Sequence, residues 1–172
     1  MSGIAPIKFV AIGGGTGLST LLKGLKPYIT PLVPDARSNS EALAGQPEKA
    51  DFRPRISLTA IVTVTDDGKS SGRLRGEFSV LPPGDIRNCL VALADEDRLI
   101  THLFRHRFPG DGAIGGHSLG NLILLALNQM GGSFLQAVDQ ARAMLGITAR
   151  VLPSTLDGVD LVAQVDGRLI RG

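Results

Sequence analysis

No tryptophan occurs in this 172-residue chain, and aromatic side chains amount to six phenylalanines and one tyrosine. Single-stranded nucleic acid is gripped largely by stacking bases on aromatic rings, so this scarcity speaks against a nucleic-acid partner. A single cysteine, Cys89, rules out a disulfide within the chain and fits a reducing compartment. No apolar run approaches the roughly 18 residues of a membrane helix, and no charged segment followed by a long apolar stretch opens the chain. The expectation is a cytoplasmic protein without a membrane span. Charge of one sign is also scarce, because the formal net charge of +2 is a small imbalance and not a basic face. What remains, 43% hydrophobic and 20% charged residues, is ordinary globular composition. The length suits one α/β domain with its own core.

The sequence is organised around residues 8–19, KFVAIGGGTGLS. The apolar residues from Ile7 to Ile12 read as a buried strand, and Leu18, Leu21, Leu22 and Leu25 recur at helical spacing. Between them stand Gly13, Gly14, Gly15, Thr16 and Gly17. A strand that turns through glycines into a helix exposes backbone N–H groups at the positive end of the helix dipole, which suits a phosphate. A simple tight turn would account for the glycines as well. The run is not the dinucleotide fingerprint, which needs a glycine where Leu18 stands, and no Gly-Lys-Ser/Thr closes it as a Walker A loop would.

Pro27 ends the first helical pattern, and residues 30–55 change character, with prolines, small polar residues and scattered charges. They read as an exposed, flexible insertion. Residues 56–65, ISLTAIVTVT, are β-branched and apolar on both faces, as a central parallel strand should be. They lead into Asp66, Asp67, Gly68, Lys69, Ser70, Ser71, Gly72, Arg73. Two carboxylates at the carboxyl end of a parallel strand sit where open α/β sheets bind ligands, and could hold Mg²⁺ or ribose hydroxyls. An Asx-type turn is the plainer alternative. A Walker A reading of GKSS fails, because the required glycine falls at Thr63 inside the strand. Ser70, Ser71 and Arg73 remain candidate contacts to an anion.

Pro82, Pro83 and Gly84 stop any strand, and Asp85 is a plausible N-cap for a helix that brings Arg87 and Asn88 to the same edge. A further helix is expected over residues 96–107, with Leu99, Ile100, Leu103 and Phe104 as its buried stripe. His102 and His106, four apart but flanked by Arg105 and Arg107, read as a solvated basic face and not as metal ligands. Gly116, His117, Ser118, Leu119 and Gly120 spell the nucleophile elbow of α/β-hydrolases. That elbow needs a preceding buried strand and a later histidine; here a glycine loop precedes, and no histidine follows position 117. Ser118 is instead expected to cap a helix whose N-terminus forms a second anion site. Another helix is expected over 133–145, and a β-hairpin with an Asp166-Gly167 turn near the end.

The loops GGGTGLS, TDDGKSSGRLR, PPGDIRN and GGHSLGNL, in this order, resemble those of the YvcK family of gluconeogenesis factors. That family is related to CofD, the 2-phospho-L-lactate transferase that binds GDP and a deazaflavin. The likeness covers nearly the whole chain outside 30–55 and matches roughly the N-terminal half of the family. It departs at Lys69, where a second glycine is expected. The resemblance implies one nucleotide-binding domain over 1–172: a Rossmann-like, three-layer parallel sheet with helices on both faces, truncated, and ending in a partial β-hairpin. It further implies a UDP-sugar ligand such as UDP-N-acetylglucosamine, and a role in cell shape and wall synthesis on gluconeogenic carbon sources. By that likeness Gly13–Gly17 contact phosphate, and Asp66 and Asp67 bind ribose, metal or both. Ser70, Ser71 and Arg73 assist, while Asp85, Asn88, His117 and Asn121 close the pocket.

Three readings follow. The first is a regulatory nucleotide-sugar binder without catalysis, compatible with a homo-oligomer and a protein partner that receives the signal. The second is an Mg-dependent transferase of the CofD type. The third is an inactive fragment. No residue stands out in the sequence as an activated nucleophile, which favours binding over chemistry.

Overall fold

A computed structural model describes residues 5–29, 55–65 and 68–171. The expected insertion, apart from Arg55, lies outside the described residues, as do Asp66 and Asp67. The elements run β1 (Ile7–Gly13), α1 (Gly15–Leu25), β2 (Ile56–Val62), α2 (Lys69–Phe78), α3 (Gly84–Leu93), α4 (Leu99–Arg105), α5 (Leu119–Gly131), α6 (Phe134–Leu145), β3 (Arg150–Pro153), β4 (Val162–Val165) and β5 (Arg168–Arg171), with a 3-10 turn at Lys26–Tyr28.

The β-branched run of β2 forms the centre of a parallel sheet ordered β1-β2-β3, with Ile7 opposite Ile56 and Thr59 opposite Arg150. Alternation along β2 buries Ile56, Leu58, Ala60 and Val62 together with Ala11 of β1 and Val151 of β3. Onto that face pack Leu18 and Leu22 of α1, Ile86 and Leu90 of α3, and Val138 and Leu145 of α6. Each such side chain contributes roughly 1.5–3 kcal/mol of burial. The α/β class, with a parallel sheet flanked by helices, is the one expected. On the other face, Val10 and Ile12 are 56% and 73% exposed.

The hairpin is as the Asp-Gly pair predicts: β4 and β5 are antiparallel, and Asp166 and Gly167 have φ of 49° and 77°. Positive φ at both central residues matches the twist of a two-residue hairpin turn. Three local expectations need correction. Residues 69–75, read as part of the loop 65–75, lie in α2; its one large buried apolar residue is Leu74, too sparse a signal for helical periodicity. Asp85 is not an N-cap: α3 begins at Gly84 after Pro83, and the Asp85 carboxylate reaches another element. The helix expected over 96–107 shrinks to α4, which buries Thr101 and Phe104 while Leu99 is 73% exposed.

Candidate functional site

Three helices begin at one cavity of about 930 Å³. Gly68, Ser70 and Ser71 come from the start of α2, Gly84, Arg87 and Asn88 from α3, and Asn121 from the first turn of α5. Each helix start carries backbone N–H groups without intrahelical partners and a partial positive charge. Three starts facing one space make that space receptive to an anion.

Arg73, Arg87 and Arg107 also line it. Arg73 donates to the carbonyl of Gly115, and Arg107 Nη1 donates to the carbonyl of Gly116 at 2.6 Å. Both therefore pin the loop between α4 and α5 as a cavity wall. That loop is tight: a Cβ on Gly115 would lie 2.0 Å from the carbonyl oxygen of Gly110. Arg87 is placed differently. Its stem runs against Gly120, where a Cβ would meet Arg87 Cδ at 2.9 Å, so only glycine leaves it room. Its Nη2 donates to Asn88 Oδ1 at 2.7 Å, and its Nε is buried without a partner among the described residues. Burial, followed by the nearby Arg107, lowers the Arg87 pKa to about 10, while Asp85 pulls the other way. An anion in the cavity would relieve both the desolvation and the repulsion.

Behind this wall lies a buried polar chain. Asn121 Nδ2 donates to Ser70 Oγ at 3.1 Å, and Ser70 Oγ sits 2.9 Å from His117 Nδ1. Burial, then Arg73, hold the His117 imidazole below its ordinary pKa, with Arg107 adding and Glu77 opposing. A neutral imidazole can then accept the Ser70 proton. Ser118 caps α5 as expected, accepting from the Asn121 N–H at 3.2 Å, which fixes Asn121 in the first turn. Asn121 is 2% exposed and its Oδ1 has no partner among the described residues. An unmade buried bond of that kind costs about 1–3 kcal/mol.

Of the residues singled out in the sequence, Ser70, Ser71, Arg73, Asn88 and Asn121 meet at the cavity, and His117 stands behind Ser70. The glycine run Gly13–Gly17 is not part of the lining. It is tied to the site through Asp85, whose Oδ2 accepts from the Gly15 N–H at 2.7 Å, with Thr63 Oγ1 at 3.4 Å. The carboxylate stands at the start of α1, where a phosphate would otherwise be drawn. Sequence reasoning put Arg87 only at the edge and passed over Arg107 and the Gly110–Gly116 loop; a basic residue beside a glycine-rich segment was the available signal. Among the described residues no three His, Cys, Asp or Glu side chains gather as a metal site would require. Asp66 and Asp67, the carboxylates expected to bind metal, lie outside those residues.

A parallel sheet with helices packed against it, three of which begin at one arginine-lined cavity, places the chain in the α/β class. The chain belongs to the CofD family: residues 9–172 match the family of 2-phospho-L-lactate transferase CofD. A Nostoc sp. (strain PCC 7120) protein is 49% identical over 166 residues, which are 96% of this chain and 31% of that protein. The gluconeogenesis factor of Bacillus subtilis (strain 168) is 43% identical, covering 96% of this chain and 44% of the relative. The crystal structure of protein BH3568 from Bacillus halodurans superimposes with a TM-score of 0.77 at 39% identity, over 96% of this chain and 46% of that one. The chain thus spans less than half the length of these relatives.

Proposed function

We propose that this chain carries the ligand-binding part of a regulatory protein of the gluconeogenesis-factor type, with a nucleotide sugar as ligand and no catalysis of its own. The observation that carries this reading is the convergence of three helix starts and three arginines on one cavity. A diphosphate is the biological anion best matched to several N–H groups and guanidinium forks at once. The volume is that of a small-molecule site. UDP-N-acetylglucosamine is the ligand in this reading, Mg²⁺ bound at Asp66 and Asp67 accompanies it, and the setting is cytoplasmic. The cellular role is support of cell shape and wall synthesis during growth on gluconeogenic carbon sources.

Calorimetric titration with UDP-N-acetylglucosamine, with and without Mg²⁺ and with GDP as comparison, tests it. Saturable binding of the UDP-sugar, weakened at least about tenfold by Arg87→Leu, supports the reading. A folded chain that binds neither ligand sinks it. A second reading, transfer chemistry of the CofD type, has one observation in its favour: the Ser70–His117 hydrogen bond places a neutral base one hydroxyl away from the cavity. Preference for GDP over the UDP-sugar, together with deazaflavin-dependent turnover, would move the assignment there.

A further inference from the structure

Building on that reading, we infer that this cavity recognises the sugar-phosphate end of its ligand and is indifferent to the base. A site that holds a nucleobase offers a ring or an apolar plane to stack against. Among the described residues, no aromatic and no large apolar side chain lines this cavity; its walls are glycine, serine, arginine, asparagine and aspartate. Among the described residues a base finds no stacking surface here.

The same walls hold more than a phosphate uses. Phosphate oxygens only accept hydrogen bonds, and Arg87, Arg107 and the helix starts supply donors. Two acceptors stand beside them: the Asp111 carboxylate, and Asn121, whose Oδ1 is buried and unpartnered among the described residues. Asn121 Nδ2 is engaged by Ser70, so the amide oxygen is the atom left over. A carboxylate placed beside arginines weakens the hold on a bare phosphate. It becomes useful only when the ligand also brings hydroxyl donors, and a phosphate joined to a polyol, as in a sugar 1-phosphate, brings both.

The test is calorimetric titration of the full chain with UDP-glucose, GDP-glucose, glucose 1-phosphate, uridine monophosphate and inorganic phosphate. The two sugar nucleotides are expected to bind within about threefold of each other, and glucose 1-phosphate at least about tenfold tighter than inorganic phosphate. Uridine monophosphate, whose ribose also brings hydroxyls, should bind no tighter than glucose 1-phosphate, because its base adds nothing. Asp111→Ala, on an exposed loop outside the core, and Asn121→Leu should both narrow the gap between glucose 1-phosphate and inorganic phosphate. If Asn121→Leu fails to fold, the wild-type series and Asp111→Ala still decide. A preference for UDP-glucose over GDP-glucose beyond about tenfold overturns this inference but leaves nucleotide-sugar binding standing. So does glucose 1-phosphate binding no tighter than inorganic phosphate while UDP-glucose binds. Failure of every probe overturns both.

Discussion

Gly14 and Gly17 belong to one glycine run, yet the space around them differs. A Cβ on Gly14 would lie 1.8 Å from Thr63 Oγ1 and 2.9 Å from Asp85 Oδ2, whereas one on Gly17 would meet nothing within 4 Å. Gly14 is therefore where the backbone that follows β1 meets the side chains of Thr63, just after β2, and of Asp85, at the start of α3. Gly14→Ala should lower stability by roughly 1–3 kcal/mol, because the side chains of Thr63 and Asp85 must move apart. Gly17→Ala, inside α1, should leave stability unchanged or raise it by up to about 1 kcal/mol through helix propensity. Urea unfolding of the two variants checks the contrast, and equal losses would refute the steric account. Asp85 makes the run a structural joint: its carboxylate takes the Gly15 N–H that an incoming phosphate would use. Cys89, one turn further along α3, is fully buried, and burial assisted by Asp85 raises its thiol to about 12. The folded chain should therefore resist iodoacetamide at neutral pH and react only after denaturation, read by intact mass.

At the scale of elements, α5 depends on its cap. Ser118 is wholly buried and accepts the Asn121 N–H, so Ser118→Ala should cost about 1–2 kcal/mol and loosen Asn121 at the cavity. His117 beside it gives the fold a pH dependence of known sign. Its folded pKa lies below the ordinary 6.5, so the unfolded chain takes up the proton first as pH falls. The contribution is fully present above pH 6.5 and is lost as pH drops from there through the folded value. Thermal midpoints measured downward from pH 7 should fall less steeply for His117→Gln than for the wild type; parallel curves would refute this. Much of this architecture was legible in the sequence, for local reasons. The run of β2, the Ser118 cap and the Asp-Gly hairpin each announce themselves within a few residues. What escaped was long-range or weakly apolar. Ser70 and His117 meet across 47 positions, Gly15 and Asp85 across 70, and neither meeting leaves a periodic trace. Helix α2 escaped because its buried face is Ser70, Ser71 and Leu74, two of them residues that propensity assigns to turns.

At the largest scale, the described residues are asymmetric about the sheet. One face is closed by α1, α3 and α6, while Val10 and Ile12 project from edge strand β1 on the other and are more than half exposed. Periodicity could not foretell this, because an apolar residue that waits for a cover looks in sequence like one that has it. The hairpin adds Val162, Val165, Leu169 and Ile170, all about half exposed or more. Apolar side chains along an edge strand invite pairing with another copy, and charges on such strands are the usual defence. The isolated chain should therefore associate as its concentration rises, and Ile12→Lys should suppress that association. Because Ile12 lies outside the packed face, the substitution should change stability by no more than about 0.5 kcal/mol. Sedimentation velocity over a concentration series, paired with urea unfolding, reads both quantities. Suppressed association at unchanged stability would place the contact on the open face. Association that persists in Ile12→Lys would move it to the hairpin, where Leu169→Lys is the corresponding change. A large loss of stability in Ile12→Lys would mean that this face is covered within the chain.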